Sequence, residues 1–403
     1  PRLCSLPEHG YRRAIRNRVA DARTPVPPVV VRLPGSVKLS FGSAETASPV
    51  GFWWPADSST AHAHISAAPS WIMPPRKRWE QPCTTTLHQP AVACFSFFAG
   101  NYGHTLHDLL PLIAWLRLLL PNQTLVVPAS STLQAILAYI DYEYTTKFTV
   151  IDQQYTSRRI FMVKPGTVVC ASSASVVAIP ANARRDDFLN FAWVRKGSVM
   201  RTLRKAWLQA AGVVNGSGDG TVIVYVRHAS RTMYHGRNMT RGHAQDIVTG
   251  IERAMLQFEL TGSLVRYDGS EHGAAMPIAR QAELFGRAET VIGPHGAGLA
   301  NILWLPAHTS TRTRGCDRPK VLEFICSERS ARVQNGCPYG RTHWSFFGTA
   351  PFVQWYHQFF TADSSPATTW IDLDELQVSL RSMWSSQVAV AWRERKRAVF
   401  TSL

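Results

Sequence analysis

The sequence predicts an α/β protein with two sequential units, each built on a mainly parallel sheet covered by helices. Between residues 91 and 151, short apolar segments alternate with amphipathic helical segments, which is typical of a doubly wound sheet. The same alternation begins again at Thr221, after a glycine-rich stretch at 212–220 that indicates a linker. We therefore expect two Rossmann-like domains in series, with their sheets facing each other across a cleft.

The first half of the chain is expected to hold an extension and one domain. Residues 1–85 are rich in Pro, Ser and Ala without sustained periodicity, so we expect an irregular N-terminal extension there. An N-terminal Rossmann-like domain is expected at 86–215. Its predicted elements are strands at 91–98, 124–127 and 148–151, helices at 104–120 and 131–139, and a basic helical region at 183–211.

The second half is expected to hold a C-terminal Rossmann-like domain at 216–345, followed by a helical segment at 346–403. The predicted strands of this domain lie at 221–226, 263–267, 290–292 and 320–325, and its predicted helices lie at 245–260 and 276–287.

The composition favours two ordinary domains and an anionic ligand. The chain has 403 residues, of which 45% are hydrophobic, so a large core can form. Lys and Arg number 43 against 27 Asp and Glu, and this net charge of +16 suits an anionic ligand, nucleic acid or an acidic membrane. No zinc-finger, RNP or basic-zipper pattern occurs, so we expect no nucleic-acid partner. No transmembrane segment is visible, so we expect membrane attachment only through an N-terminal anchor that this sequence does not show.

A turn rich in small residues follows the predicted strand at 290–292. The strand is expected to break at Gly293-Pro294, and a helix is expected to start at Leu299. Between them lie His295 and Gly296-Ala297-Gly298, whose missing side chains let a ligand approach the free N–H groups of the helix start. This pattern predicts a diphosphate site with His295 as a further donor. An ordinary glycine-rich turn with a buried histidine explains it equally well.

Two arginines and a glutamate are further candidates for this site. Arg227 follows the strand at 221–226, and Arg231 comes four residues later, at a strand end where ligands bind in such sheets. Two guanidinium groups suit a diphosphate, although surface arginines on a loop give the same pattern. Glu323 lies in an otherwise apolar strand, where a carboxylate needs a partner, so we expect it to accept hydrogen bonds from a ribose.

A polar cluster at the start of the first long helix is the candidate for general-base catalysis. It comprises Asn101, His104, His107 and Asp108. His104 and Asp108 are four residues apart and share a helix face, so the carboxylate can orient the imidazole while it takes a hydroxyl proton. His107 is a substitute candidate, and Asn101 is placed on the acceptor side. Helix capping and a solvated helix face explain the cluster equally well.

The cysteine pattern gives no metal site. Seven cysteines occur without CxxC spacing, and no convincing Asp-x-Asp pair is present, so we expect no bound metal. Cys316, Cys326 and Cys337 lie close together in sequence, and two of them can form a disulfide in an oxidising compartment. Three Asn-x-Ser/Thr sequons permit glycosylation in the secretory pathway, at Asn122, Asn215 and Asn238.

In combination, these segments resemble the signature of glycosyltransferase family 61. The main block is a strand, an HGAGL-type turn, an Asn, a hydrophobic-Leu-Pro step and a strand ending in Glu. It spans 291–301, Trp304-Leu305-Pro306 and Val321-Leu322-Glu323. The similarity extends to Arg280-Gln281 with Ala288, to 225–231, to 101–111 and loosely to 339–356. Residues 101–111 resemble the protein O-mannose N-acetylglucosaminyltransferase branch, whereas the Gly-Ala-Gly-Leu form is nearer to plant xylosyl- and arabinosyltransferases.

The resemblance implies a GT-B fold and inverting transfer of GlcNAc, xylose or arabinose from a UDP-sugar to a glycan or glycoprotein hydroxyl. The N-terminal domain would then bind the acceptor, with His104 and Asp108 as catalytic residues. The C-terminal domain would bind the donor, and no further cofactor is expected. The donor contacts would be Arg227, Arg231, His295, Gly296, Ala297, Gly298, Leu299 and Glu323. We expect the protein in the lumen of the Golgi or endoplasmic reticulum.

Two functions from other classes remain open at this point. One is a catalytically inactive protein of the same fold that binds nucleotide sugars or glycans. The other is a basic protein associated with nucleic acid, which would show polynucleotide binding with a steep salt dependence.

Overall fold

The computed structural model divides into two units, one within Pro7–Ala211 and the other within Gly212–Leu403. Each unit contains a mainly parallel sheet with helices, so the predicted α/β class is confirmed. The domain ranges drawn from the sequence stay a prediction. The structure describes residues 29–33, 37–40, 51–53, 82–93, 102–120, 122–140, 160–163, 167–178, 218–227, 239–306, 318–326, 353–362 and 369–384.

The first unit contains two sheets. Its strands are β1 (Val29–Leu33), β2 (Val37–Ser40), β3 (Gly51–Trp53), β4 (Thr85–Leu87), β5 (Ala91–Ala93), β6 (Thr124–Pro128), β7 (Ile160–Val163), β8 (Val168–Ala171) and β9 (Ala174–Ala178). The larger sheet has the order β1-β9-β5-β6-β7 and is parallel except for β1 at its edge. The smaller sheet has the order β3-β2-β8-β4.

Three of these strands lie in the region expected to be irregular. β1 pairs with β9, and β2 pairs with both β3 and β8, so this part of the chain is built into the sheets. Val37 and Leu39 of β2 are fully buried. Runs of three to five residues show too few alternations to stand out from a Pro- and Ser-rich background. The expectation of an irregular flank is therefore wrong for these three strands.

The predicted helix at 104–120 is confirmed, but it is not uniform. This helix, α1, consists of Tyr102–His104, a π-helical turn at Thr105–Leu109 and an α-helical part at Leu110–Leu119. Pro111 explains the π-helical turn, because a proline inside a helix lacks the N–H and its ring crowds the carbonyl four residues earlier. That carbonyl belongs to His107, within the turn that widens.

The remaining predictions for the first unit have mixed outcomes. The strand at 124–127 is confirmed as β6, and the helix at 131–139 is confirmed as α2 (Ser131–Ile140). The strand predicted at 91–98 is described only as β5. The strand predicted at 148–151 and the helical region at 183–211 lie outside the described residues. β7, β8 and β9 were not predicted. Of the helices that the structure describes, none combines the length and apolar character needed to cross a membrane.

A disulfide joins Cys83 to Cys170, with the two Cα atoms 5.6 Å apart. It ties the segment before β4 to the neighbouring strand β8, and the bond closes a loop of 87 residues. The sequence did not predict this pairing. Cys316 and Cys337, two of the three cysteines considered for a disulfide, lie outside the described residues.

The second unit contains a six-stranded sheet with a small hairpin. Its elements are β10 (Thr221–Tyr225), α3 (Arg241–Gln257), β11 (Leu264–Tyr267), β12 (Ser270–Glu271), β13 (Ala274–Ala275), α4 (Ile278–Arg287), β14 (Ala288–Pro294), a 3-10 helix (Ala297–Trp304), β15 (Lys320–Cys326), β16 (Gln354–Ala362), β17 (Thr369–Trp370) and α5 (373–384). The sheet order is β11-β10-β14-β15-β16-β17, and only β17 is antiparallel. All four strands and both helices predicted for this domain are confirmed. The segment 346–403 was expected to be helical, but it contains β16 and β17 before α5, so that expectation is wrong for these two strands. The aromatic residues of β16 favour a strand.

Apolar strand residues pack against helices from both sides of this sheet. On one side, α3 and α5 contribute Ile247, Ile251, Leu380 and Trp384 to a core with Val224 and Leu322 of the strands. The other side holds α4, which contacts the 3-10 helix, and there Phe285 packs edge-on against Tyr267 at 5.0 Å between ring centres.

The strand order creates a switch point between β10 and β14. From β10 the chain crosses to β11 on one side, and from β11 it crosses back over β10 to β14 on the other side. In open parallel sheets, ligands bind beyond the carboxyl ends of the strands at such a point, because the two flanking connections diverge there. The residues just after Tyr225 and just after Pro294 therefore occupy the position where a ligand is expected.

β14 does not break at Gly293-Pro294 as predicted. Both residues pair with β15, where they face Glu323 and Phe324, and the His295 N–H donates to the Phe324 carbonyl at 3.0 Å. Because successive residues of a strand direct their N–H groups to opposite neighbours, the missing N–H of Pro294 falls on the β10 side. Pairing with β10 has already ended at Ile292, so Pro294 interrupts no hydrogen bond there.

Candidate functional site

Several residues predicted to bind a diphosphate converge at the switch point. Arg227, which is half-buried, follows β10 after one intervening residue, and His295 and Gly296 directly follow β14. The Arg227 guanidinium lies against the turn, because a Cβ added to Gly296 would be 3.2 Å from Arg227 Nη1. A cation, an imidazole and the start of a helix therefore surround one small region, and together they suit an anionic group.

Two glycines that flank the turn, Gly293 at the end of β14 and Gly298 in the 3-10 helix, make room for a tyrosine. A Cβ added to Gly298 would lie 2.5 Å from the Tyr225 ring, and one added to Gly293 would lie 2.6 Å from the Tyr225 carbonyl oxygen. The sequence predicts that Gly296, Ala297 and Gly298 give a ligand access, whereas in the structure Gly298 is filled by the Tyr225 ring. Gly296 differs, because its neighbours are the ends of two polar side chains, Arg227 Nη1 and the Tyr225 hydroxyl, the latter at 3.4 Å.

The helix after the turn is a 3-10 helix that starts at Ala297, two residues earlier than predicted. Its first hydrogen bond runs from the Leu299 N–H to the Gly296 carbonyl at 3.1 Å. The N–H groups of Ala297 and Gly298 precede this bond, in the position where helix starts offer donors to anions. Leu299 is a poorer candidate for donor contact than expected, because its N–H is used in the helix and its side chain is fully buried.

Glu323 lies behind His295 and is fully buried. Its Oε1 is 2.5 Å from His295 Nδ1, and its Oε2 accepts a hydrogen bond from Trp355 Nε1 at 2.8 Å. The His295 side chain is 18% exposed, so the imidazole lies between the buried carboxylate and the surface. We had expected Glu323 to accept hydrogen bonds from a ribose, but the structure directs both carboxylate oxygens to partners within the chain.

The other predicted site residues lie either outside the described residues or in the other unit. Arg231 and Asn101 lie outside the described residues. His104 ends the first α-helical turn of α1, and His107 and Asp108 belong to its π-helical turn, in the other unit. Their roles stay predictions.

A buried polar network, which the sequence analysis missed, fixes the 3-10 helix to α4. Asn301 Nδ2 donates to the Tyr267 hydroxyl at 3.0 Å and to Gln281 Oε1 at 2.8 Å, and it also contacts the Gly298 carbonyl at 3.1 Å. The Tyr267 hydroxyl donates to the same Gln281 oxygen at 2.7 Å. Burial, with a smaller effect of the nearby Tyr225, raises the pKa of Tyr267, so its hydroxyl stays a donor. The signal was present in the sequence, because an Asn within an apolar run needs partners when buried.

The described residues contain no group of three or more His, Cys, Asp or Glu side chains that could hold a metal ion. A positive charge does reach the turn, because the Arg227 guanidinium lies against Gly296.

A comparison with protein families finds a local match over the centre of this site. The family model described as Glycosyltransferase 61 matches residues 270–311. This match covers α4, β14, the turn and the 3-10 helix, and it includes His295, Gly296 and Asn301. A comparison with the curated proteins finds no match.

Proposed function

We propose that the chain is a member of glycosyltransferase family 61, whose model matches residues 270–311, and that it moves a sugar from a UDP-sugar to a glycan or glycoprotein hydroxyl with inversion. The sugar is GlcNAc, xylose or arabinose, in keeping with the branches that the sequence resembles. The UDP-sugar is the only small molecule required, without a metal or other cofactor.

One observation carries this proposal. The Arg227 guanidinium lies against Gly296 at the switch point, beside His295 and the start of the 3-10 helix. Transfer from a nucleotide sugar leaves a nucleoside diphosphate, whose developing negative charge needs fixed positive groups and N–H donors. A guanidinium, an imidazole and two backbone N–H groups supply these.

Inverting transfer also needs a base for the acceptor hydroxyl and an in-line approach to the anomeric carbon. We assign the base to His104 and Asp108 of α1, in the unit without the diphosphate site. In this proposal the two units form a GT-B arrangement, with the acceptor held by the first and the donor by the second.

The compartment that we propose is the lumen of the Golgi or endoplasmic reticulum. The Cys83–Cys170 disulfide supports it, because such bonds persist in oxidising compartments. Asn122 of an Asn-x-Thr sequon is exposed before β6, where a glycosylation enzyme can reach it.

The experiment that tests the function has two stages. A thermal-shift screen of UDP- and GDP-sugars is expected to raise the unfolding temperature with at least one UDP-sugar, because a ligand of the native state stabilises it. The sugar that binds is then tested for hydrolysis without an acceptor. Binding without any hydrolysis or transfer would favour a catalytically inactive protein of the same fold, and no binding would contradict a donor site.

A further inference from the structure

We propose that Glu323 and Trp355 are positioning residues. They hold His295 as a positively charged group that donates a hydrogen bond to the diphosphate of the bound nucleotide sugar. This inference rests on the proposed function and explains how one residue of the same site is prepared for it. It gives Glu323 a role other than ribose binding.

The geometry restricts how His295 can contact a ligand. Its Nδ1 is 2.5 Å from Glu323 Oε1, on the buried side of the ring. Any contact of the ring with a phosphate oxygen is therefore made through Nε2, on the partly exposed side. The backbone of His295 is fixed as well, because its N–H donates to the Phe324 carbonyl of β15 at 3.0 Å.

The charge state of the ring decides whether this contact is favourable. A neutral imidazole that donates from Nδ1 to Glu323 presents a lone pair at Nε2, and a lone pair repels a phosphate oxygen. Only the imidazolium donates from both nitrogens. A buried carboxylate in direct contact favours the imidazolium, because the opposite charge is close and little water lies between them.

Among the described residues, contacts at Gly296 bring the Arg227 guanidinium and the Tyr225 hydroxyl, from the end of β10, to the turn. The register of β15 and β16 also places His357, a further titratable residue, beside Glu323. The guanidinium disfavours a second positive charge on His295, so the Glu323 carboxylate opposes that repulsion. Two cations can then face the diphosphate together.

Trp355 fixes the carboxylate that faces His295. Its Nε1–H donates to Glu323 Oε2 at 2.8 Å, so rotation of the carboxyl group would break this bond together with the histidine contact. Trp355 precedes by two residues the β16 partner of Glu323, so both side chains project from the same face of the sheet. With both oxygens bonded, the buried charge is satisfied within the chain.

In the transfer step, the bond between the anomeric carbon and the β-phosphate oxygen breaks, and its electron pair stays on that oxygen. The acceptor oxygen forms the new bond to the anomeric carbon, and its proton passes to the base assigned to the first unit. The imidazolium donates a hydrogen bond to the departing diphosphate and keeps its own proton, so it does not have to be reprotonated between turnovers.

The test measures donor affinity against pH by calorimetry. The probe is whichever of UDP-N-acetylglucosamine, UDP-xylose and UDP-arabinose binds best. A nucleotide sugar is used because the terminal phosphate of free UDP itself titrates at about pH 6, which would add a pH dependence that does not come from the protein. Wild-type affinity is expected to fall about 10- to 100-fold between about pH 6 and about pH 9, which corresponds to losing a hydrogen bond to a charged group.

Two variants test whether His295 and Glu323 cause this loss of affinity with rising pH. His295→Gln is expected to bind weakly at every pH without the fall, and Glu323→Gln is expected to shift the fall to lower pH, because the amide keeps the shape but loses the charge. Wild-type affinity that does not change with pH would overturn the inference, as would an unshifted profile in Glu323→Gln. Failure of every nucleotide sugar to bind the wild type would instead contradict the proposed function.

A third variant tests the tryptophan and does not depend on Glu323→Gln folding. Trp355→Phe keeps an aromatic ring but removes the N–H, so a several-fold loss of affinity is expected near pH 6. The same change in the His295→Gln background is expected to cause no further loss, because the histidine it positions is gone. Equal losses in both backgrounds would show that Trp355 acts only through packing, and would overturn its positioning role.

Discussion

Lys320, at the amino end of β15, is 2% exposed, and its Nζ has no hydrogen-bond partner among the described residues. Burial lowers the pKa of this ammonium from 10.5 to about 7, and the nearby Glu289 carboxylate acts in the opposite direction. Between these two values the unfolded chain binds a proton that the folded chain has lost. The stability of the folded state therefore rises with pH over this window. Below about pH 7 both states are protonated, and the full cost of the buried charge remains.

This behaviour gives a prediction for Lys320→Met, which removes the titrating group. From pH 7 to pH 10, the free energy of unfolding of the wild type is expected to rise relative to the variant by about 2–4 kcal/mol, at about 1.36 kcal/mol for each pKa unit. Urea unfolding at several pH values measures it. Glu289→Gln serves as a control and should enlarge the pH dependence, because it removes the charge that favours the ammonium. A constant difference between wild type and Lys320→Met would contradict the prediction.

Gly298 makes a second prediction at the residue scale. A Cβ at this position would lie 2.5 Å from the Tyr225 ring, so Gly298→Ala forces the ring or the 3-10 helix to move. Overpacking of this kind costs about 1–3 kcal/mol of unfolding free energy. The matched control is Gly242→Ala in α3, where an added Cβ meets no atom within 4 Å and the change should be neutral or slightly stabilising. Equal effects of the two substitutions on urea unfolding would show that Tyr225 does not restrict Gly298.

At the scale of elements, the π-helical turn of α1 changes the argument for the general base. An i→i+5 turn has more residues per turn than an α-helix, so positions four apart stay near one face while positions three apart separate. The backbone positions of His104 and Asp108 therefore lie near one face of α1, whereas the position of His107 lies on a different face from that of His104.

We accordingly predict that His104→Ala and Asp108→Asn each lower turnover by about 10²–10⁴-fold, as the loss of a general base does. Donor affinity should stay close to wild type, because the proposed donor site belongs to the other unit. His107→Ala is the matched control and should keep near-normal turnover. Loss of donor binding together with turnover would place the cluster at the donor site, and normal turnover in both variants would leave it a structural role.

The elements that the sequence predicted correctly carry local signals. β6, β10, β14 and β15 are runs of β-branched and apolar residues, and α3 and α4 have a clear amphipathic period. β1 to β3 are short. β1 and β2 pair with β9 and β8, which lie more than a hundred residues away in sequence, and β3 pairs only with β2, so no local pattern identifies these strands. The π-helical turn was predictable in principle from Pro111.

The residues of the candidate site can likewise be divided into those whose placement the sequence predicts and those whose placement it does not. The sequence could predict that Arg227 lies near the turn at His295, because the carboxyl ends of neighbouring parallel strands lie at the same edge of a sheet. The partners of Glu323 could not be predicted, since His295 and Trp355 are 28 and 32 residues away and their contacts depend on side-chain direction. The packing of Tyr225 on Gly293 and Gly298 likewise depends on which strand lies beside β14, and only the sheet order reveals that.

At the scale of the whole molecule, the two units have separate proposed roles. The second unit has the sheet order, the switch point and the family match, so its own residues are proposed to bind the nucleotide sugar. The first unit contributes α1 with the proposed base, and the disulfide that supports a secretory compartment. The central claim is that the switch point of the second unit binds the diphosphate of a nucleotide sugar.

The most direct measurement is the affinity of the best-binding UDP-sugar for Arg227→Ala, compared with wild type and with Arg280→Ala. Arg280 is a matched control, because it is an exposed arginine of the same unit that pairs with Glu283 and Glu271. Arg227→Ala is expected to weaken binding by about 1.5–3 kcal/mol, the range for hydrogen bonds to charged groups, while Arg280→Ala leaves it unchanged. Wild-type affinity in Arg227→Ala, or an equal loss in both variants, would contradict a diphosphate site at the switch point.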